Sequence, residues 1–205
     1  MPGGYGRVYV ELGCGRGRFV NGMAAADPDA LYIGAEGCKT ILIRALAGTR
    51  GAGHENVRYI DGFVNDAASA FAEDSLDGIF LNFSDPWPKI RHAGRRLTAP
   101  AKAEAYFKAL RPGGFVALKT DGEGFFEYSL AVFGGAGFHI DYQTRDLQRM
   151  EGLSGLGFLH IGDASCFCDD YVIDVAERGA GMLTEYEQKF RASGLPIYCF
   201  IAIKQ

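Results

Sequence analysis

Short apolar segments alternate with helix-like segments along most of this 205-residue chain, and this alternation restricts the fold more than any other feature. Arg7–Leu12 and Leu31–Glu36 are predicted strands, and each is followed closely by a predicted helix, Gly17–Ala26 and Cys38–Ala47. Because the strands are almost continuously apolar, they are typical of a parallel sheet that helices cover on both faces. The sequence therefore predicts an α/β fold. The remaining predicted elements are strands at Val57–Ile60, Gly78–Asn82, Gly114–Thr120 and Ile197–Ile203, an extended segment at His139–Thr144, and helices at Ala99–Leu110, Phe125–Phe133 and Thr184–Ser193.

The length of the chain limits the number of domains, and its N-terminal segment indicates its cellular location. A chain of 205 residues predicts a single domain, residues 1–205, with Gln148–Met182 as an atypical insertion that mixes glycine, cysteine and acidic residues. No apolar run approaches the roughly 18 residues of a membrane span, and Met1–Val10 lacks the features of a signal peptide. We therefore expect a soluble cytoplasmic protein without membrane contact. We also expect a monomer, because no exposed apolar stripe stands out.

The five cysteines show neither a disulfide framework nor a metal-binding pattern. Cys166 and Cys168 form a lone C-x-C pair, and the residues around them match no familiar zinc spacing. The sequence therefore predicts free thiols in a reducing compartment and no metal site.

A glycine-rich turn joins the first strand to the first helix. It reads Glu-Leu-Gly-Cys-Gly-Arg-Gly from Glu11, and its first two glycines, Gly13 and Gly15, let a backbone approach a ligand closely. The spacing lacks the third glycine of the dinucleotide fingerprint, and Glu11 would repel a pyrophosphate. A strand-end acid favours a cationic ligand, and S-adenosylmethionine, with its ammonium and sulfonium groups, fits. Glu36 ends the second strand, where an acid can accept hydrogen bonds from both ribose hydroxyls. A tight turn without a ligand is the alternative.

A stiff loop that becomes basic follows the fourth predicted strand. This loop contains two prolines, which fix φ, and the only tryptophan of the chain. It runs from Asn82 through Asp85 and Trp87 to Lys89. A rigid loop that presents these polar and aromatic side chains at the carboxyl edge of the sheet suits a reaction centre. Four of the eight residues Lys89–Arg96 are Lys or Arg, although the net charge is −4. We interpret this run as a phosphate-binding patch beside the reaction centre; a solvated basic loop is the alternative.

Together these motifs resemble those of the bacterial tRNA (guanine-N7)-methyltransferase family. The resemblance covers roughly residues 9–144 and 181–203, and the combination D-P-W-P-K with R-H-x-x-R-R is its most specific part. It implies a class I methyltransferase, which is a three-layer, seven-stranded Rossmann-like sheet, mostly parallel with an antiparallel strand near the C-terminus. It also implies S-adenosylmethionine as the methyl donor and N7 of the variable-loop guanine of tRNA as the acceptor, giving 7-methylguanosine. The other segments that carry it are Leu118–Asp121, Phe126–Leu130 and Thr184–Phe190.

The resemblance also implies roles for individual residues. The positions implied to bind the donor are Glu11, Gly13, Gly15, Glu36 and Asp85. Those implied to contact the target nucleoside are Lys89, Asp121, Thr184, Glu185, Tyr186 and Glu187. Those implied to hold the RNA are Arg91, His92, Arg95 and Arg96. Guanine N7 is a lone-pair acceptor, so its methylation needs no base. Asp85 and Asp121 are the candidate catalytic residues, because carboxylates near the purine would stabilise the positive charge that develops on it.

The sequence departs from the family pattern at several positions. Phe63 stands where the family has an aspartate, so Asn65 or Asp66 is expected to reach the adenine amine of the donor. Ile90 and Gly94 stand where lysines are common, which predicts weaker RNA binding. The chain also begins only ten residues before the acid of the glycine loop. Two alternatives therefore stay open: a non-catalytic RNA-binding relative with the same fold, and a methyltransferase that acts on another substrate.

Overall fold

The computed structural model describes residues 4–62, 70–147, 184, 190 and 192–205. In this part of the chain, strands and helices alternate as the sequence predicts. The elements in chain order are β1 (Arg7–Leu12), α1 (Arg18–Ala26), β2 (Ala30–Glu36), α2 (Lys39–Ala52), β3 (Val57–Asp61), β4 (Leu76–Asn82), a 3₁₀ helix (Ile90–Arg95), α3 (Pro100–Ala109), β5 (Leu110–Thr120), α4 (Glu123–Gly135), β6 (Phe138–Thr144) and β7 (Tyr198–Lys204).

The strands form one seven-stranded sheet in the order β3-β2-β1-β4-β5-β7-β6. The pairs β1–β2, β2–β3, β1–β4 and β4–β5 are parallel, whereas β7 runs antiparallel to both β5 and β6. The predicted mostly parallel sheet with an antiparallel strand near the C-terminus is therefore confirmed. The chain moves outward from β1 to β3 and returns to β4, so the topological switch point lies between β1 and β4. Ligands of such sheets bind at the carboxyl ends of the strands at this point.

Consecutive side chains of β1 enter two cores, one on each face of the sheet. Val8 and Val10 pack in one core with Phe126 of α4, while Tyr9 packs in the other with Phe19 of α1. Because successive side chains of a strand point to opposite faces, a strand covered on both faces has to be apolar throughout. This requirement explains the continuous apolar runs of the sequence and gives the predicted three layers.

Two element boundaries differ from the predicted ones by more than two residues. Helix α2 continues to Ala52 and ends at Gly53, whose φ is +73°, because glycines inside a helix weaken it without stopping it. Strand β5 begins at Leu110, which pairs with Leu76, and not at Gly114. The Pro-Gly-Gly run therefore forms an irregularity inside the strand and not a turn before it.

Several predictions concern residues outside the described ones. They are the adenine contact by Asn65 or Asp66 in place of Phe63, the insertion at 148–182 with Cys166 and Cys168, most of the helix at 184–193, and the substrate contacts of Glu185, Tyr186 and Glu187.

Residues 4–62, 70–147, 184, 190 and 192–205 contain neither a membrane-spanning helix nor a metal-binding cluster. No helix there is both long enough and apolar enough to cross a bilayer. No group of three or more His, Cys, Asp or Glu side chains there could hold a metal ion. The cysteines in these ranges, Cys14, Cys38 and Cys199, are free thiols.

Candidate active site

Two polar side chains from neighbouring strands meet at the switch point of the sheet. Glu11 lies near the end of β1, and Asn82 is the last residue of β4. The Asn82 amide donates a hydrogen bond from Nδ2 to Glu11 Oε1 at 2.9 Å. The second carboxylate oxygen, Oε2, is buried and accepts no hydrogen bond from the described residues. Glu11 therefore keeps one unsatisfied acceptor at the edge where the sequence predicts a cationic ligand.

Burial changes the acidity of Glu11. The residue is 4% exposed, and burial raises the pKa of its carboxyl from 4.5 to about 7 because the charged form loses its hydration. The hydrogen bond from Asn82, the positive charge of Lys119 and the backbone N–H of Val20 lower this pKa, while the charge of Glu36 raises it. A cation bound next to Glu11 would favour the ionised carboxylate and release a proton below about pH 7.

The glycine loop after β1 owes its shape to its backbone and to Glu36. Gly13, Gly15 and Gly17 have φ angles of +80°, +55° and +73°, a region that other residues rarely adopt. Glu36, at the end of β2, accepts the Gly15 N–H at Oε2 (3.0 Å) and the Cys38 N–H at Oε1 (2.8 Å). Each carboxylate oxygen has a further lone pair. Glu36 thus fixes the loop and keeps capacity for the predicted ribose hydroxyls.

A hydrogen-bonded tyrosine supports this loop from the side of the sheet. Asn21 Nδ2 donates to the Gly17 carbonyl at 2.6 Å and to the Tyr59 hydroxyl at 3.2 Å, and the Tyr59 hydroxyl lies 2.8 Å from the Thr49 hydroxyl. The Tyr59 ring occupies this position because Gly34 of β2 carries no side chain. A Cβ at Gly34 would lie 2.7 Å from the ring, which is too close for the ring to stay in place.

Gly34→Ala is therefore expected to lower the free energy of unfolding by about 1–3 kcal/mol, the usual effect of an extra group forced into a packed core. The new methyl group would collide with the Tyr59 ring and with Cys14 Sγ, 2.8 Å away. Urea unfolding measures the change. Gly48→Ala is the matched control, because a Cβ at that exposed position of α2 meets nothing within 4 Å and should stabilise the helix by up to about 1 kcal/mol. Equal effects of the two substitutions would contradict the close packing at Gly34.

The glycine loop, the ends of β1, β2 and β4 and the loop after β4 border a cavity of about 1020 Å³. This volume suits a ligand of nucleoside size or larger. The cavity lining combines three acids, Glu11, Glu36 and Asp85, with the apolar side chains of Phe19 and Leu97. Its surface can therefore hold an aromatic group while its acids bind positive charge and hydroxyls.

The loop after β4 folds around Trp87. The Trp87 ring centroid lies 5.6 Å from that of His92 and 5.1 Å from the guanidinium carbon of Arg95. Both partners belong to the 3₁₀ helix Ile90–Arg95. Trp87 and Phe83 have positive φ angles of +40° and +49°, so the loop is bent twice in a conformation that non-glycine residues rarely adopt. The basic segment consequently turns back onto the loop that carries Asp85.

The structure brings some of the predicted site residues together and leaves others apart. Those that border the cavity are Glu11, Gly13, Gly15, Glu36, Asp85, Arg95 and Thr184. Thr184 is buried at 7% exposure although it lies far along the chain from the others. Lys89, Arg91 and Asp121 are exposed, His92 and Arg96 are half-buried, and these five are not among the residues that border the cavity. The individual roles of all these residues stay predictions.

Sequence reasoning missed several cations around the cavity. Arg16, Arg18 and Lys39 border it, and Lys119 of β5, only 2% exposed, acts electrostatically on Glu11. Arg16 lies within the glycine loop and Arg18 follows it directly, and these positions were the signal available for them. Lys119 lies in the segment Leu118–Asp121 that carries the family resemblance, but nothing in its sequence context shows that Glu11 lies beside it.

The fold and the site together define a class of protein. They have the features of a class I methyltransferase: the strand order, the antiparallel β7 beside β5, the glycine loop after β1 and the acid at the end of β2.

Solved methyltransferases share this fold. The 16S rRNA methyltransferase KamB is similar with a TM-score of 0.61 at 13% identity, over 98% of this chain and 90% of that one. Phosphoethanolamine N-methyltransferase 2 of Haemonchus contortus, solved in complex with S-adenosyl-L-methionine, gives 0.57 at 18% identity, over 99% of this chain and 50% of that one.

Sequence comparison gives the particular family. A family model described as "Putative methyltransferase" matches residues 6–151. The tRNA (guanine-N(7)-)-methyltransferase of Bacillus licheniformis is 34% identical over 93% of this chain and 78% of its own length. Its counterpart from Streptococcus suis is 37% identical over the same shares. The chain belongs to the tRNA (guanine-N7)-methyltransferase family, as the motifs predict.

Proposed function

We propose that this protein transfers a methyl group from S-adenosylmethionine to N7 of a guanine in the variable loop of tRNA. The observation that carries the proposal is the buried Oε2 of Glu11, which has no hydrogen-bond partner among the described residues and borders the same cavity as Glu36 and Asp85. A buried acceptor of this kind is costly unless a ligand pairs with it. The relatives named tRNA (guanine-N(7)-)-methyltransferase support the acceptor.

The residues around the cavity fit this donor. Glu11 can pair with the ammonium group and Glu36 can accept hydrogen bonds from the ribose hydroxyls. Gly13 and Gly15, whose φ angles are positive, carry no side chain that would block a ligand at the loop. S-adenosylmethionine, when bound, supplies a methyl group on a positively charged sulfur that becomes neutral as the guanine N7 lone pair takes the methyl.

The task of the protein is alignment and charge stabilisation, because no proton has to be removed from guanine N7. The reacting atoms have to be held about 3–3.5 Å apart. Asp85 borders the cavity on a loop stiffened by Pro86 and Pro88, and a carboxylate there would stabilise the positive charge that develops on the purine. Asp121, exposed after the neighbouring strand β5, is the second candidate.

Specific recognition of guanine is assigned to the segment that begins at Thr184. Thr184 is buried and borders the cavity, which supports a role of this segment in the nucleoside contact. Glu185 and Glu187 would accept hydrogen bonds from the N1–H and N2–H₂ groups of guanine, donors that adenine does not present in this arrangement. Tyr186 and Lys89 complete the proposed contacts with the nucleoside.

A methyl-mapping experiment tests the proposed reaction. Unmodified tRNA is incubated with the protein and with S-adenosylmethionine labelled on its methyl group, and the labelled position is located by cleavage at 7-methylguanosine and by nucleoside analysis. We expect a single label at guanine N7 in the variable loop. A label on another atom or base would refute the acceptor, a label on N7 elsewhere in tRNA would refute the location, and no label would favour a non-catalytic RNA-binding relative.

Arg91→Ala is expected to make tRNA binding less sensitive to salt. Arg91 is exposed at the start of the basic segment, and each lost phosphate contact reduces the slope of log affinity against log salt by roughly 0.7–0.9. The measurement is a salt titration of tRNA binding. Arg50→Ala is the control, because Arg50 lies exposed in the last turn of α2, at the opposite end from the strands' carboxyl ends. Identical slopes in wild type and Arg91→Ala would remove Arg91 from the RNA-binding surface.

A further inference from the structure

The basic segment after β4 is not uniform, because one of its arginines points into the protein. Lys89 and Arg91 are exposed, whereas Arg96 is half-buried. The Arg96 guanidinium donates from Nε to the Pro86 carbonyl at 2.9 Å and from Nη2 to the Trp87 carbonyl at 3.2 Å. Two N–H groups of the Arg96 guanidinium therefore bind consecutive backbone carbonyls of the loop that contains Asp85.

The face of the same guanidinium is also occupied. Its central carbon lies 4.2 Å from the ring centroid of Tyr128 in α4, which is a cation–π distance. Tyr128 in turn packs, partly buried, against the core on that face of the sheet. Arg96 thus connects the loop to a helix that is anchored in the core, and two of its five N–H donors and one of its faces are already engaged within the protein.

The loop needs such a restraint because of its backbone. Trp87 has a φ of +40°, and residues with side chains keep such angles only when their surroundings hold them there. Pro86 and Pro88 stiffen the chain on either side but have no N–H groups with which to bind neighbours. Besides the packing of the Trp87 ring on His92 and Arg95, hydrogen bonds to the carbonyls of Pro86 and Trp87 fix this turn, and Arg96 supplies them.

We propose that Arg96 is a positioning residue, which holds the turn at Pro86 and Trp87 so that Asp85 faces the cavity, and that it does not bind the RNA backbone. This inference rests on the proposed function, since it assigns the work of one residue in that reaction. A displacement of about 1 Å in a reacting geometry can reduce the rate about 100-fold. Arg96 therefore acts on the rate of methyl transfer through Asp85, while the affinity for tRNA depends on the exposed cations.

The test compares Arg96→Lys with Arg91→Ala. A lysine keeps the charge but cannot donate to two carbonyls from one planar group. We expect Arg96→Lys to lower kcat at least tenfold, to leave KM for tRNA within about twofold, and to leave the salt dependence of tRNA binding unchanged. If Arg96 bound phosphate, lysine would restore most of the activity, and Arg96→Ala would reduce the salt slope by roughly 0.7–0.9; either result would overturn the proposal.

Further measurements make the outcome independent of folding and of the identity of the substrate. Trp87 is the only tryptophan, so its fluorescence emission and its quenching by acrylamide report the loop without tRNA or donor. Arg96→Lys should change both the emission maximum and the extent of quenching. Unchanged values would refute the proposed role of Arg96 in holding the turn, even if the protein proved to methylate another substrate. Tyr128→Leu removes the ring on which Arg96 stacks and leaves every basic residue in place. Like Arg96→Lys, it should lower kcat and leave the salt dependence of tRNA binding unchanged. Far-ultraviolet circular dichroism confirms that each variant is folded.

Discussion

Asp85→Asn is expected to slow methyl transfer to tRNA by about 100-fold or more while leaving the fold intact. The range of 10²–10³ is typical when one preorganised group that stabilises transition-state charge is removed. Asp85 is exposed on its loop and borders the cavity, so its amide variant keeps the shape of the site and loses only the negative charge. Single-turnover measurement with saturating donor isolates the chemical step.

Two further variants determine whether the effect belongs to Asp85. Glu104→Gln neutralises an exposed acid of α3 that is not among the residues that border the cavity, and its rate should equal that of wild type. Asp121→Asn tests the second candidate at the end of β5. Near-normal rates in both the Asp85 and Asp121 variants would remove these carboxylates from the mechanism and leave alignment alone to explain catalysis.

Glu11→Gln is expected to weaken donor binding by about 10- to 100-fold, because a charge-assisted hydrogen bond contributes roughly 1.5–3 kcal/mol. The variant keeps the oxygen that accepts the bond from Asn82 Nδ2, so the local geometry is retained. Calorimetric titration with S-adenosylmethionine measures the loss. Glu36→Gln is a useful comparison: it also changes an oxygen that fixes the glycine loop at Gly15, and should therefore reduce both donor binding and stability.

The same Glu11 substitution should make the protein more stable at high pH. Burial raises the pKa of Glu11 from 4.5 to about 7, so between these values the folded state holds a proton that the unfolded state has released. The free energy of unfolding contributed by this group therefore falls as pH rises from about 4.5 to 7, and the loss is complete above pH 7. At about 1.4 kcal/mol per pH unit, the variant should gain about 3 kcal/mol over wild type between pH 4.5 and pH 8.

The affinity of the wild-type protein for the donor should also depend on the ionisation of Glu11. It should rise with pH, whereas the free energy of unfolding contributed by Glu11 falls with pH. Only the carboxylate pairs with a cation, so binding weakens as the pH falls below about 7. We expect affinity to fall about tenfold from pH 8 to pH 6, with proton release detected by calorimetry in buffers of different ionisation enthalpy. Glu11→Gln should abolish this dependence. An equal affinity of the wild type at pH 6 and pH 8 would mean that Glu11 does not contact the donor's positive charge.

The sequence alone was sufficient for the order of the elements and for the edge of the sheet that carries the site. Continuous apolar strands such as β1 and β4 predicted a parallel sheet, and a parallel sheet places the ends of those strands together. Glu11 and Glu36 lie at the ends of strands, and Gly13 and Asp85 lie in the loops that follow strands, so their common position could be inferred without coordinates. The exact bounds of elements such as β5 could not be inferred from the sequence, because a Pro-Gly-Gly run is compatible with either a turn or an irregular strand.

Only the tertiary structure decided how each charged side chain is used. The sequence shows Glu11 as an acid, but its burial, its bond to Asn82 and its raised pKa arise from strands that meet across 71 residues of chain. Arg95 and Arg96 are adjacent and chemically identical, yet one borders the cavity and the other holds two carbonyls. The physical reason is that local patterns determine backbone conformation, whereas solvation and partners depend on which distant segments the fold brings into contact.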